Sequence, residues 1–142
     1  MQLDLEALET SFGLVAPRGD RLMDVFYARL FAAAPSVKPL FAASDFDRQK
    51  TMLLGVLALL PRALRDPDAL VPTLRRLGAR HVAYGAEPGH YPVVGRVLIA
   101  SIAEVAGEAW RPEYERAWVA ALDIVAAAML EGAASVALAV AA

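Results

Sequence analysis

The chain has 142 residues, enough for one domain with a real core. Charged residues are 21% of it and the net charge is -2, so no basic patch survives and nucleic acid is not expected as a partner. There are no cysteines, which excludes disulfides, thiolate metal sites and cofactors attached through cysteine. Hydrophobic residues reach 58%, much of the excess being alanine, which favours helix. The N-terminal stretch MQLDLEALE is acidic and amphipathic, not a secretory signal, and a cytoplasmic location is expected.

Apolar residues at Leu3, Leu5, Leu8, Phe12 and Leu14 predict a first helix, broken by Pro17 and Gly19. Asp20 is the expected N-cap of a second helix. Its apolar face is Leu22, Val25, Phe26, Tyr27, Leu30 and Phe31, and Pro35 ends it. Pro39 is expected to open a brief helix closed by Phe41. Ser44 and Asp45 can cap the third long helix, whose stripe is Phe46, Gln49, Leu53, Val56, Leu57 and Leu60. Gln49 is the odd member, an amide on an apolar face. Pro61 is expected to kink or fray the last turn.

Asp66 and Pro67 then form a cap and first position for a fourth helix. Leu70, Leu74, Leu77 and His81 fall on one face of it, while Thr73, Arg75, Arg76 and Arg80 occupy the wet face. Gly85 and Pro88 supply stop signals. His90 is expected in an exposed corner. A fifth helix runs from Tyr91 to Val105, with Val94, Leu98 and Ile102 on one side, until Gly107. Pro112 opens the last helix, which continues to at least Glu131.

Beyond Arg116 the only ionisable side chains are Asp123 and Glu131. Two carboxylates inside a bilayer would each be costly. The 11 residues after Glu131 are too few to cross about 30 Å of hydrocarbon. A long core helix is therefore expected instead of a transmembrane span, with a loosely packed tail over 132–142. No strand-like alternation, repeat or Gly/Ser linker is present. The pattern predicts an all-α single domain over 1–142.

A histidine on an apolar helical face has two readings. It is a buried side chain bonded to a carbonyl, or a metal ligand. Other polar residues on apolar faces bear on the choice: Gln49 on one helix and Tyr27 on another. One imidazole facing an amide and a phenol suits b-type haem that takes a gaseous ligand. The imidazole would bind iron, and the opposite donors would stabilise the partial negative charge of bound O₂.

The stretches FYARLFAAAPSVKPLF around Tyr27 and Phe41 and LGARHVAYGAEPGHYPVVG around His81 resemble bacterial single-domain haemoglobins and the globin domain of flavohaemoglobins. The resemblance covers the chain from about Leu5 to Met129. It implies a globin fold of six to eight helices around a haem pocket. It further implies His81 as the iron ligand, Tyr27 and Gln49 as distal donors with Leu53 shaping the ligand's path, and Phe41, Leu53, Leu77, Tyr91, Val94 and Leu98 as residues lining the haem. O₂, CO and NO are the implied ligands. Reversible oxygen binding is the leading function. Nitric oxide dioxygenation with a separate reductase is the alternative, and a gas or redox sensor the third. A monomer or homodimer is expected. One departure stands out: where the family commonly places a glutamate on the last helix, behind the histidine, this chain has Ala133 by ungapped count. Glu131, two residues earlier, should face elsewhere. Without that carboxylate the imidazole pushes less electron density onto iron.

Overall fold

The computed structural model describes residues 3–42 and 45–141, with side chains up to Val136. Its α-helices are α1 (Leu5–Val15), α2 (Gly19–Ala33), α3 (Phe46–Ala63), α4 (Pro67–Ala83), α5 (His90–Ala106) and α6 (Pro112–Ala141). Short 3-10 turns occupy Ala16–Arg18, Pro35–Phe41 and Gly107–Ala109. No strand occurs among the described residues, as the all-α expectation requires.

Local chemistry explains most boundaries. Asp4 caps α1 by accepting from the Ala7 amide at 3.0 Å. Asp45 caps α3 from the Arg48 amide at 3.2 Å, and Asp66 caps α4 from the Ala69 amide at 3.4 Å. Ser44, the other expected cap, lies outside the described residues. Asp20 is not a cap. The 3-10 turn at Ala16–Arg18 leads almost directly into α2, which starts at Gly19 without a side-chain cap. Pro17 sits early in that turn, where a missing N–H costs least. Pro61 does not end α3, which continues to Ala63 and still receives the Leu64 amide at the Leu60 carbonyl, 2.9 Å away.

The core lies between α1, α2, α5 and α6, with α3 closing one side. Trp118 of α6 is fully buried and donates from Nε1 to Ser11 Oγ at 2.8 Å. That hydroxyl in turn donates to the Ala7 carbonyl at 2.7 Å, so the buried polar group is satisfied. By length and composition, Pro112–Val136 of α6 would pass for a membrane span. Its inner face instead buries Ala117, Trp118, Ala121, Ala128 and Met129 against neighbouring helices, while Asp123 and Glu131 stay exposed. It is the core helix the sequence suggested. α4 lies along α6 more intimately than any other helix pair among the described residues.

Candidate functional site

α4 ends in a Schellman motif. The Ala86 amide donates to the His81 carbonyl at 3.0 Å and the Gly85 amide to the Val82 carbonyl at 3.1 Å. Gly85 has φ +92°, which suits a residue without a Cβ. His81 therefore sits in the last turn of α4, one turn after Leu77 and two after Leu74. Leu74 is buried, and Leu77 and His81 are half-buried. His81 Nδ1 lies 2.8 Å from the Leu77 carbonyl oxygen. A carbonyl can only accept, so Nδ1 carries the proton and Nε2 keeps a free lone pair. The Tyr84 ring stands edge-on to the imidazole, 5.4 Å away.

A second cluster forms where α2, the Pro35–Phe41 turn and α3 meet. Tyr27, 4% exposed, is surrounded by Phe46 at 4.8 Å, Phe26 at 4.9 Å, Phe41 at 5.8 Å and Phe31 at 6.0 Å between ring centroids. Burial raises the pKa of the Tyr27 phenol, and hydrogen bonding by the Gln49 side chain partly lowers it again. The structure thus brings Tyr27 and Gln49 together. Leu53, one turn after Gln49, is half-buried against the same core, as is Phe41. Lys50, unnoticed in the sequence, joins α3 to α2. Its ammonium is 2.8 Å from Asp24 Oδ1 and 5.0 Å from the Phe46 ring centroid. The Phe46-to-Lys50 spacing of one helical turn was the signal that could have found it.

Tyr91, in contrast, makes no hydrogen bond to His81. Its hydroxyl oxygen is buried and has no partner among the described residues. Its ring packs on the small cluster of Leu74, Ala128 and Met129, which also receives Leu77. Burial raises its pKa as well. Glu131 turns outward and pairs with Arg75 Nε at 2.8 Å, both side chains exposed. Ala133 is half-buried. Among the described residues no carboxylate reaches the histidine side. Val94 is half-buried and Leu98 is deep in the core at 4% exposure. Arg80 is exposed. His90 opens α5 half-buried, not in an exposed corner, because its Nδ1 accepts the Glu87 amide at 3.0 Å.

The sequence stripe on α3 needs one correction. Val56 is 50% exposed, with Met52 at 56% and Leu59 at 62%. Leu57 and Leu60 fill the core instead. Val56 still shares its helix face with Gln49 and Leu53. On α4, Val82 and Tyr84, next to His81, are also exposed. Exposed apolar side chains on α3, and Val82 and Tyr84 next to an imidazole whose Nδ1 is engaged, are what a flat, apolar, metal-bearing macrocycle would cover. The donor set and its surroundings fit haem.

A family model described as Globin matches residues 24–129. The flavohemoprotein of Chromobacterium violaceum is 36% identical over 111 residues, which are 76% of this chain and 27% of that protein. The flavohemoprotein of Bordetella parapertussis is 35% identical over 105 residues, 72% of this chain and 26% of the other. The chain spans about a quarter of the length of the curated relatives it matches. Among solved structures, an engineered carbene transferase from Rhodothermus marinus, described as a candidate nitric oxide dioxygenase, superposes with a TM-score of 0.85. It is 25% identical and covers 99% of this chain and 100% of its own. A bacterial globin from Campylobacter jejuni, 20% identical, shares the fold with a TM-score of 0.78 over 92% of this chain and 94% of its own.

Proposed function

Because the chain belongs to the globin family, in which the fold implies a bound haem, we propose that it holds b-type haem through His81 and binds O₂ reversibly on the opposite face. The observation that carries this reading is the 2.8 Å contact from His81 Nδ1 to the Leu77 carbonyl, which leaves Nε2 free to ligate. When bound, haem would be held by His81 and would supply an iron able to take O₂, CO or NO as a ligand. The remaining work falls to side chains. The Leu77 carbonyl orients the imidazole and fixes its tautomer. Tyr27 and Gln49 offer hydrogen-bond donors that favour the more charge-bearing ligand, O₂, over CO. Phe41 and Leu53 keep that side apolar and restrict water. With Glu131 engaged by Arg75 and the imidazole bonded to the Leu77 carbonyl, the histidine has no carboxylate partner to push electron density onto iron, which favours reversible binding over cleavage of the O–O bond.

Nitric oxide dioxygenation is the second reading. It is supported by the flavohemoprotein relatives and by the Rhodothermus marinus neighbour. In that reading a reductase supplies electrons to the haem. Absorption spectra of the ferric, ferrous and CO-bound protein test the haem reading. The ligand-free ferrous form should be five-coordinate and high-spin, since Gln49 is a poor iron ligand. A ferrous spectrum dominated by low-spin bands, or no haem at all, would reject it. Sustained NO consumption with an added reductase would favour the second reading, and a single turnover the first.

A further inference from the structure

α4 and α6 touch through their backbones. A Cβ added to Gly78 of α4 would lie 1.9 Å from the Met129 carbonyl oxygen of α6. A Cβ added to Gly132 of α6 would lie 1.8 Å from the Arg75 carbonyl oxygen of α4. The contacts are reciprocal and antiparallel, one helical turn apart on each helix. Both glycines are buried in helix interiors, where glycine is less favourable than alanine. The chain uses alanine freely beside them, at Ala79, Ala133 and Ala134. Two other helical glycines, Gly55 and Gly95, have no atom near where a Cβ would stand. Gly19 would meet only the Leu54 side chain, at 2.6 Å, so close approach of main chain to main chain at these glycines is confined to the α4–α6 pair, and Gly78 lies one turn before His81.

We propose that Gly78 and Gly132 are positioning residues for His81, a backbone clamp that fixes where α4 presents its imidazole. The proposal rests on His81 being the iron ligand. Any side chain at either position must push the helices apart on the order of 1 Å, a displacement large enough to alter a reacting geometry substantially. Helices move as packed units, so the shift travels to the histidine one turn away. The Arg75–Glu131 pair at the same crossing joins exposed side chains, and such pairs hold little. The buried cluster of Leu74, Ala128 and Met129 packs beside the clamp, but the close approach itself is main chain on main chain.

The test is the iron–histidine stretching frequency of the ferrous, ligand-free holoprotein, read by resonance Raman spectroscopy. Gly132→Ala and Gly78→Ala should each shift it while haem stoichiometry is retained. Gly55→Ala and Arg75→Ala should leave it unchanged. In a His81→Gly background, free imidazole replaces the tethered ligand, and there Gly132→Ala should have no effect on the iron–imidazole frequency. An unshifted frequency in the tethered variants, or the same shift with free imidazole, overturns the proposal. If the glycine variants do not fold, amide hydrogen exchange on the wild-type full chain decides. A clamped α4 keeps protection over 76–82 within tenfold when haem is removed, whereas open-chain exchange there overturns the proposal. If His81→Gly alone keeps the wild-type frequency without imidazole, the ligand assignment fails, and the exchange arm still reads the clamp.

Discussion

On the α2–α3 side, Tyr27, four phenylalanines and the Gln49 amide meet through side chains alone, while Met52 and Val56 stand open on the same helix as Gln49. On the α4–α6 side, two main chains are in contact, flanked by the small buried cluster of Leu74, Ala128 and Met129. A wall of rings can repack by small rotations, so it can adjust to different small ligands. A backbone contact has no such freedom. In the proposed site the histidine is thus carried by the rigid half and the donors by the adaptable half. That division would suit a protein that holds its cofactor in one place and lets gases come and go.

The largest effect should come from the rigid half. His81→Ala removes the nitrogen donor from the apolar face of α4, and His90 is held by its own Glu87 contact. The variant should lose most of its haem. Haem-to-protein ratio and the ferrous–CO spectrum measure this. Unchanged stoichiometry with an unchanged spectrum would assign iron ligation elsewhere.

The adaptable half should respond more moderately. A hydrogen bond to a charge-bearing partner contributes about 1.5–3 kcal/mol, and about 1.4 kcal/mol is a factor of 10. Tyr27→Phe should then raise the O₂ dissociation rate roughly 10-fold or more, and CO dissociation far less. Gln49→Leu should act in the same direction but more weakly. Since the two side chains already interact, the double variant should be non-additive. Stopped-flow O₂ displacement on the three variants reads this. Equal changes for O₂ and CO would indicate altered access, and no change would make both residues structural.

How much of this was readable beforehand depends on what carries the information. Helix spans came from apolar spacing, and the caps at Asp45 and Asp66 from residue type and position. The apolar face of α4 that carries His81 was visible for the same reason. So was the outward turn of Glu131, because two residues along a helix is about 200° of rotation. On α3 the apolar residues spread over a wide arc, with Leu57 and Leu60 in the core and Met52, Val56 and Leu59 at its exposed edge. Periodicity could not place that edge, and Val56 was assigned to the wrong side of it. Asp20 was misread because a 3-10 turn left no helix end to cap. The α4–α6 clamp had no signature at all. Glycine contributes no side chain to a pattern, and its partners lie far away in sequence.

The smallest expected effect is at Tyr91, where the two halves differ in how a buried phenol is satisfied. Tyr27 has the Gln49 amide, while the Tyr91 hydroxyl is buried without a partner. A buried donor left unpaired costs about 1–3 kcal/mol, so Tyr91→Phe should leave stability unchanged or raise it by about 1 kcal/mol in chemical denaturation. Alkaline pH adds a second reading. Burial raises the folded-state pKa of Tyr91 above the ordinary tyrosine value of 10.0. Below pH 10.0 the phenol is neutral in both the folded and unfolded chain, and its contribution is fully present. As pH rises further, the unfolded chain ionises first, and the contribution is lost up to the raised folded value. Tyr91→Phe should therefore flatten the fall in stability above pH 10.0 and leave its pH dependence below that unchanged. A variant that loses more than about 1 kcal/mol at neutral pH would mean that the hydroxyl is satisfied, for instance by an ordered water. The histidine side would then hold a polar contact of its own, and the contrast between the two halves would narrow.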